Sequence, residues 1–342
     1  QPLWDVPYNG VNSERPSVRT VAITVVGGGV LAWAGTFYAR HLRGVGPTIR
    51  KPPQDIAVLA NTTGMPLTLP PGFSISIFAK GLEKPRVMVR DPQSALLVSI
   101  PSEGRVVALP DRDGNGAADD VVDVVTGLTK PHGLAFRCRE TCDLYIAEMH
   151  QVAVYRYDAE ARRATWQRKL VDLPSGGNHT SRTIMFTPND QLLISVGSSC
   201  NVCDERDWRR AKILVAGAEG GELAAFASGL RNAVFMAIHP VTGKVWATEM
   251  GRDLLGDDLP PDEINIVEPG RNYGWPTCYG KNVHDTDFDR SIYKQNPCQE
   301  PLTLPSRIDI PAHAAPLGLA FIPPDASWQP SRDTRKVSRA WR

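Results

Sequence analysis

The segment at residues 176–182 contains the side chain best suited to acid–base chemistry. It reads Gly-Gly-Asn-His-Thr-Ser-Arg, so that His179 lies three positions before Arg182. The imidazole of histidine exchanges its proton near neutral pH, and arginine supplies a fixed positive charge for an anionic ligand. Because a single histidine is more often structural than functional, the residue types alone leave both interpretations of His179 open.

Polar side chains recur at related places along the chain. Arg231 and Asn232 lie one repeat after His179, His132 lies one repeat before it, and His313 lies just before the last repeat. The repeats, which are defined below, bring equivalent positions toward one axis when they close into a ring. These residues are therefore candidates for a shared site that contains a base, a cation and an amide.

The stretch from Glu249 to Glu263 follows a predicted strand and is rich in carboxylates. Oxygen ligands, including backbone carbonyls, are those that Ca²⁺ prefers. The stretch therefore predicts a calcium site, with a solvated surface loop as the alternative. Its five acidic side chains from residue 253 onward are Asp253, Asp257, Asp258, Asp262 and Glu263.

The six cysteines fall into three local pairs. Pairing of sequence neighbours is favoured in an exported β-rich chain, so we predict three disulfides. A redox-active C-x-x-C or half of a zinc site is the alternative for residues 200–203. Zinc would need a second pair of ligands at suitable spacing, and haem attachment would need a histidine where Asp204 stands. The predicted pairs are Cys138/Cys142, Cys200/Cys203 and Cys278/Cys298.

Short apolar runs punctuated by Gly, Pro and Asp follow one another from residue 72 onward, a pattern that predicts an all-β fold. No window beyond the N-terminal region sustains a helical apolar period. The expected strands include Phe73–Phe78, Ala95–Ile100, Val106–Leu109, Leu144–Ala147, Val152–Tyr157, Leu192–Val196, Lys244–Thr248 and Glu263–Val267.

The segments repeat. Pro131–Phe136 (PHGLAF) recurs almost unchanged as Pro316–Phe321 (PLGLAF), with weaker copies at Pro85–Val89, Ser181–Phe186 and Ala233–Ile238. The first four copies begin 46 to 52 residues apart, and the last interval carries an insertion. A period near this length with several strands per unit is typical of a β-propeller, and a β-sandwich is the alternative. Since few residues follow the fifth copy, we expect the last blades to be incomplete.

Charge and composition narrow the possible functions. The chain has 38 Lys+Arg and 37 Asp+Glu, for a formal net charge of +1. Nucleic-acid binding draws on an excess of basic side chains that neutralise phosphates, so the balance argues against that class. The 29 Gly and 29 Pro agree with a chain that turns often.

Residues 21–38 form an apolar run without a charged side chain. Its length is near the lower limit for a bilayer-spanning helix, and Ala32-Trp33-Ala34 is similar to a signal-peptide cleavage site. We therefore predict a hydrophobic signal or transmembrane helix at about residues 19–43, within an N-terminal segment 1–46. Either form implies export, so that the protein is expected in the periplasm or anchored to the inner membrane by this helix. Residues 47–71 are expected to be a linker, and 72–342 the propeller domain.

Four segments together match a known pattern: 177–205, 229–240, 249–280 and 312–321. The stretch EMGRDLLGDDLPPDEINIVEPGRNYGWPTCYG at 249–280 is the most specific of them. They resemble the glucose/sorbosone dehydrogenase family over roughly residues 72–322. That resemblance implies a six-bladed β-propeller that uses pyrroloquinoline quinone (PQQ) and calcium. It also implies oxidation of an aldose or a sugar aldehyde, with a quinone or cytochrome as electron acceptor.

The resemblance also implies roles for single residues. His179 matches the general base that takes a proton from a sugar hydroxyl while hydride passes to the quinone. Arg231 and Asn232 match positions that contact the cofactor and stabilise negative charge on its oxygens. His313 matches a position in the wall of the pocket beside the cofactor. Arg182 is also expected to bind the cofactor.

The calcium ligands are expected in the acidic stretch. Gly251 and Arg252 match the place where backbone carbonyls reach the ion, and Asp257 and Asp258 are added as acidic candidates. Calcium bound to the cofactor would polarise its carbonyl as a Lewis acid.

The sequence departs from the family pattern in two places. Ser198 and Cys200 follow the strand after the base, where many members carry an acidic residue, so that His179 is expected to be oriented differently. Cations that grip the carboxylates of the quinone normally come from the last blade, which is only faintly echoed after Ser327. A calcium-dependent lactonase and a non-catalytic binding propeller are the alternative functions.

Overall fold

The computed structural model describes residues 32–37, 61–69 and 73–322. The chain divides into two units, one of residues 1–48 with 254–257 and one of residues 49–253 with 258–342. In the first unit residues 32–37 are helical, and the rings of Trp33 and Phe37 stack at 5.6 Å. The remainder of the helix predicted at residues 19–43 lies outside the described residues. No helix among the described residues is long and apolar enough to cross a membrane.

The described residues of the second unit form four blades of the propeller type, each built around an antiparallel sheet, together with a separate two-stranded hairpin. The first blade contains β1 (Met88–Arg90), β2 (Leu96–Ile100), β3 (Arg105–Leu109) and β4 (Val122–Val125). The second contains β5 (Leu134–Cys138), β6 (Cys142–Ala147), β7 (Gln151–Asp158) and β8 (Arg163–Asp172). The third contains β9 (Ile184–Phe186), β10 (Gln191–Val196), β11 (Lys212–Gly217) and β12 (Gly220–Ser228). The fourth begins with β13 (Met236–Ile238), β14 (Val245–Glu249) and β15 (Asp262–Val267).

The region between β15 and the last strand carries the insertion. It contains β16 (Arg271–Asn272), which pairs in parallel with β12, and a small hairpin of β17 (Cys278–Tyr279) and β18 (Val283–His284). The strand β19 (Ile308–Ile310) then pairs with β15 and completes the fourth blade. The long insertion therefore leaves the four-stranded plan of the blade intact.

Each of the first four sequence repeats supplies the first strand of one blade, namely β1, β5, β9 and β13. The predicted all-β propeller is thus confirmed, whereas the predicted six blades are not found, because the described residues form four. The fifth repeat at 316–321 forms no strand within the residues described up to 322. Physically, its apolar run could enter a ladder only if later strands of its own blade lay beside it.

The core lies between neighbouring blades, which explains why the strands are apolar on both faces. In β10, Leu192 and Ile194 pack with the second blade, while Leu193 packs with the fourth. Successive side chains of a strand point to opposite faces, so a middle blade must be apolar at consecutive positions. This is why the sequence shows short continuous apolar runs.

All three predicted disulfides are present: Cys138–Cys142, Cys200–Cys203 and Cys278–Cys298. Of the expected strands, the one at Phe73–Phe78 is wrong, since only Ile75 makes an isolated bridge there, to Asn61. The other seven expected runs correspond to β2, β3, β6, β7, β10, β14 and β15.

Candidate active site

Three connections between strands meet at a cavity of about 190 Å³. His179 lies between β8 and β9, Arg231 and Asn232 lie between β12 and β13, and His313 follows β19. Four of the five candidates for a shared site therefore lie at one cavity, whereas the fifth, His132, is buried and is not among the lining residues. The cavity is lined by His179, Arg231, Asn232, Met250, Gly251, Arg252, Asp253, Pro260, Asp262, His313 and Ala315.

The hydrogen bonds of His179 define which of its ring nitrogens can act as a base. Nδ1 lies 3.0 Å from the carbonyl oxygen of Ser198 and 2.9 Å from the Ser198 hydroxyl. A carbonyl oxygen can only accept, so Nδ1 must carry the proton and donate it. In the neutral ring this leaves Nε2 with the lone pair.

His179 is held in its neutral form by its surroundings. Burial lowers its pKa to about 4, and the positive charge of Arg231 acts in the same direction. A buried imidazolium would lose hydration and would face a like charge, which explains the direction of the shift. The ring is therefore unprotonated over the whole neutral range.

Gly197 allows the base and the amide to approach each other closely. A Cβ at this position would lie 2.6 Å from Cβ of His179 and 2.8 Å from Oδ1 of Asn232. Real Cβ atoms do not tolerate such distances, so any side chain here would push these two residues apart. The glycine that ends β10 is thus part of the site geometry.

Arg231 is a buried cation whose donors all meet protein oxygens. Its Nε donates to the carbonyl of Asn201 at 2.8 Å, and Nη2 donates to Oδ1 of Asn201 at 2.9 Å. Nη1 donates to the carbonyls of Met250 at 3.2 Å and Gly251 at 2.8 Å. Nη2 also lies 3.5 Å from a carboxylate oxygen of Asp253. Burial lowers the pKa of Arg231, yet an arginine remains charged at neutral pH.

Asn232 presents its amide to the same cavity. Its backbone N–H donates to the carboxylate of Glu249 at 2.9 Å. Its side-chain Nδ2 donates to the sulfur of Met250 at 3.5 Å. A thioether is a weak acceptor, so this amide can exchange it for an oxygen of a ligand. Burial raises the pKa of Glu249 well above its ordinary value, and Glu263, its cross-strand partner, has a pKa raised to about 7 by burial.

Asp262 ties the two far walls of the cavity together. Its carboxylate accepts the N–H of Gly251 and the N–H of Ala315, each at 2.7 Å. Burial raises its pKa despite these two bonds. Asp262 therefore connects the backbone at Gly251 to the loop that carries His313. The ring of His313 lies 4.0 Å from the Asp253 carboxylate.

The residues predicted to bind calcium are only partly brought together. Gly251 and Arg252 line the cavity, and the Arg252 side chain forms a buried ion pair with Asp285 at 2.6 Å. Asp258 is exposed and is not among the lining residues, and Asp257 is an exposed residue of the first unit.

Arg182 does not line the cavity. Its side chain has no exposed surface, and its guanidinium donates to the carbonyls of Pro174, His179 and Ser181 at 2.7 to 2.9 Å. These bonds fix the backbone that carries His179, so the arginine holds the base in place from behind. Its predicted contact with a cofactor stays a prediction.

Sequence reasoning missed several residues that shape this site. Gly197, Asn201 and Asp285 act through contacts that join distant segments, which no local pattern reveals, and Asp262 was expected only as one acidic residue of the calcium stretch. A usable signal existed for Asn201 alone, because the predicted Cys200–Cys203 disulfide encloses it in a tight loop.

The donor set is compatible with a cation and an anionic quinone. The carbonyls of Met250 and Gly251 already converge on the positive Arg231, so they point where a cation is favourable. The weakly bonded amide of Asn232 and the neutral His179 face the same space. These residues therefore fit the group that the family resemblance implies.

Several known proteins are similar to this chain in sequence. A family model described as TrAA12-like matches residues 67–331. An uncharacterised protein of Borreliella burgdorferi is 28% identical over 281 residues, covering 78% of this chain and 70% of that protein. A pyrroloquinoline quinone-dependent sugar dehydrogenase of Hypocrea jecorina is 27% identical over 244 residues, and the match spans 61% of this chain and 56% of that enzyme.

A solved structure shares the fold. The calcium structure of the Trichoderma reesei carbohydrate-active enzyme of family AA12 superimposes with a TM-score of 0.63 at 22% identity, covering 75% of this chain and 76% of that one. The family resemblance drawn from the sequence is confirmed. The chain belongs to the TrAA12-like family.

Proposed function

We propose that this protein is an exported PQQ- and calcium-dependent oxidoreductase that oxidises an aldose or a sugar aldehyde. The observation that carries the proposal is a neutral His179 whose Nδ1 is committed to Ser198, beside the buried cation Arg231 in one cavity. The relative that is a PQQ-dependent sugar dehydrogenase supports the substrate class and the cofactor. A periplasmic location and an N-terminal membrane contact belong to the same proposal.

In the proposed reaction, His179 is the general base. Its Nε2 accepts the proton of a sugar hydroxyl, while Nδ1 keeps its own proton and donates it in a hydrogen bond to the Ser198 carbonyl, which fixes the tautomer. When bound, PQQ with calcium would supply the electron acceptor. It would take two electrons as hydride from the sugar carbon that bears this hydroxyl, and the metal would polarise the quinone carbonyl. The imidazolium that forms is temporary and must release its proton to solvent.

Arg231 and Asn232 would hold the cofactor and stabilise negative charge on its oxygens. Arg231 supplies a fixed positive charge in a low-dielectric setting, and Asn232 supplies an amide donor whose present partner is weak. His313 stands on the opposite wall, where it limits the width of the cavity.

The carbonyls of Gly251 and Arg252 would hold calcium, with the Arg252–Asp285 ion pair anchoring this turn from behind. Asp257 and Asp258 remain further candidates for the acidic environment. A quinone or cytochrome would accept the electrons afterwards.

A metal-centred hydrolase of the lactonase type has less support. Such a site requires several carboxylate or amide side chains that converge on one ion. Among the residues lining the described cavity, the carboxylate of Asp262 is engaged by two backbone N–H groups, and Asp253 lies beside Arg231. The site is organised around a base and a cation rather than around a ring of carboxylates.

The proposal is tested by reconstitution. The purified chain is titrated with PQQ in calcium buffer and binding is followed by the absorbance of the cofactor, after which dye reduction is measured with a panel of aldoses and sugar aldehydes. We expect saturable binding and sugar-dependent reduction. Bound PQQ with no reduction by any sugar or aldehyde would reject the dehydrogenase function.

A further inference from the structure

The disulfide Cys200–Cys203 closes a four-residue loop that begins shortly after β10 ends at Val196. The loop contains Asn201 and Val202 between its cysteines. A crosslink over so short a segment restricts the backbone of both enclosed residues to few conformations. Its position next to the site makes the orientation of Asn201 relevant to the chemistry.

Asn201 forms a bridge between two segments of the site. Its carbonyl accepts Nε of Arg231 at 2.8 Å, and its Oδ1 accepts Nη2 of Arg231 at 2.9 Å. The same Oδ1 accepts the backbone N–H of Asp253 at 2.8 Å, and Nδ2 donates to the carbonyl of Asp253 at 3.0 Å. The amide thus binds one edge of the guanidinium and the backbone of Asp253, which also lines the cavity.

The same loop also reaches the base. The hydroxyl of Ser198 donates to the carbonyl of Cys200 at 2.7 Å and lies 2.9 Å from Nδ1 of His179. The side chain of Glu205 bonds the backbone N–H and, at 2.8 Å, the hydroxyl of Ser199. These contacts join the loop to the end of β10 and connect the base with the cation through one covalently closed segment.

We propose that the Cys200–Cys203 loop is the element that sets His179 and Arg231 at their working separation, with Asn201 as the positioning residue. Asn201 contacts the guanidinium on the edge opposite to the carbonyls of Met250 and Gly251, so it determines which way the cation faces the cavity. Reduction of the disulfide would release Asn201 and lower the reaction rate without removing any group that touches the substrate. The effect on rate rests on the proposed function, whereas the positioning itself does not.

The first experiment needs no cofactor. Hydrogen exchange is measured by mass spectrometry on the ligand-free chain and on Asn201→Ala, over peptides covering residues 249–253. Because the Asp253 amide loses its acceptor, we expect about five- to tenfold faster exchange there. Asn201→Asp keeps both acceptor contacts of the side chain but loses the donor to the Asp253 carbonyl, so we expect its exchange to lie between that of the wild type and that of Asn201→Ala. Asn189→Ala, an exposed asparagine of the β9–β10 turn, is the matched control and should change nothing at 249–253.

The second experiment tests the disulfide. Cys200→Ser/Cys203→Ser is compared with Cys138→Ser/Cys142→Ser, which removes the bond at the β5–β6 turn. We expect faster exchange at 249–253 in the first pair only. In the reconstituted enzyme the first pair and Asn201→Ala should lower kcat about tenfold or more with little change in KM for the sugar. Unchanged exchange at 249–253 in Asn201→Ala would overturn the positioning role, whether or not the wild type turns over sugar. Changed exchange with an unchanged kcat in an active enzyme would overturn its link to the reaction.

Discussion

A histidine precedes the first strand of both the second and the third blade, His132 before β5 and His179 before β9, yet the two residues have different surroundings. His132 is 3% exposed, its Nδ1 lies 3.3 Å from the carbonyl of Arg182, and its ring packs 5.8 Å from that of Phe235. His179 is half-buried, bonds Ser198 through Nδ1 and lines the cavity. Burial lowers the pKa of both to about 4.

The comparison shows that a shifted pKa does not identify a catalytic group. Desolvation lowers the pKa of any histidine that the fold encloses, whatever its role. What distinguishes His179 is that it lines the cavity, while Ser198 holds its Nδ1. His132 instead fills the space between the second, third and fourth blades, where it contacts Arg182, Thr183 and Phe235.

The largest effect is expected from removing the base. His179→Gln keeps a polar side chain of similar size but cannot accept the proton at the position of Nε2. We expect kcat to fall about 10²- to 10⁴-fold, because general-base catalysis contributes about that much. Steady-state kinetics of the PQQ-loaded enzyme measure it, and a PQQ titration serves as the control for binding. A variant that retains wild-type turnover would remove His179 from the mechanism.

The corresponding change at the other histidine should affect folding instead. His132→Ala leaves a cavity in the interior and removes the partner of a buried carbonyl, so we expect a loss of about 2–4 kcal/mol in the free energy of unfolding. Urea unfolding monitored by tryptophan fluorescence gives this value. If His132→Ala were as stable as the wild type, the structural role assigned to His132 would be wrong.

How far the sequence predicts these roles follows from the repeat. The repeat predicts that both histidines lie shortly before the first strand of a blade, and this is confirmed because a repeat constrains the position of the backbone. The repeat does not tell which ring lines the cavity, since that depends on neighbours such as Phe235 and Ser198 that come from other segments. The difference in role between the two histidines is therefore a tertiary effect.

The same limit applies to the charged residues. Arg231 and Arg182 are both arginines near a repeat start, and the sequence assigned both to the cofactor. Only Arg231 lines the cavity, because Arg182 is turned inward onto three backbone carbonyls. Within the acidic stretch, composition does not separate Asp262 from Asp258. In the structure Asp258 is exposed, whereas the carboxylate of Asp262, the first residue of β15, accepts two backbone N–H groups. Long-range hydrogen bonds of this kind leave no local signature.

The pH dependence of stability offers a third test. A folded-state pKa below the unfolded value near 6.5 means that the unfolded chain binds protons first as the pH falls. Stability from His132 and His179 is therefore fully present above about pH 6.5 and is lost as the pH falls toward about 4. Urea unfolding at several pH values measures this, and NMR titration of the ring protons should give midpoints near 4 for both residues.

Arg231→Gln separates the two histidines in that titration. Arg231 contributes to the low pKa of His179 but is not among the causes at His132. Because burial is the larger cause at His179, we expect its midpoint to rise by less than about one pH unit and that of His132 to stay unchanged. A midpoint of His179 near 6.5 in the wild type would show that the ring is hydrated and would contradict the geometry of the site.

The smallest effect is expected at the serine that holds the base. Ser198→Ala removes the hydroxyl 2.9 Å from Nδ1 of His179 but keeps the Ser198 carbonyl, which alone is enough to hold the proton on that nitrogen. We therefore expect kcat to fall only about three- to tenfold, in line with the loss of one hydrogen bond of about 1 kcal/mol. Ser195→Ala is the matched control, because Ser195 is also buried but bonds the carbonyl of Ala233 and no histidine. Equal losses of kcat in the two variants would mean that the hydroxyl of Ser198 acts on the fold rather than on the ring, and the contrast between the two blade starts would then rest on the backbone carbonyl alone.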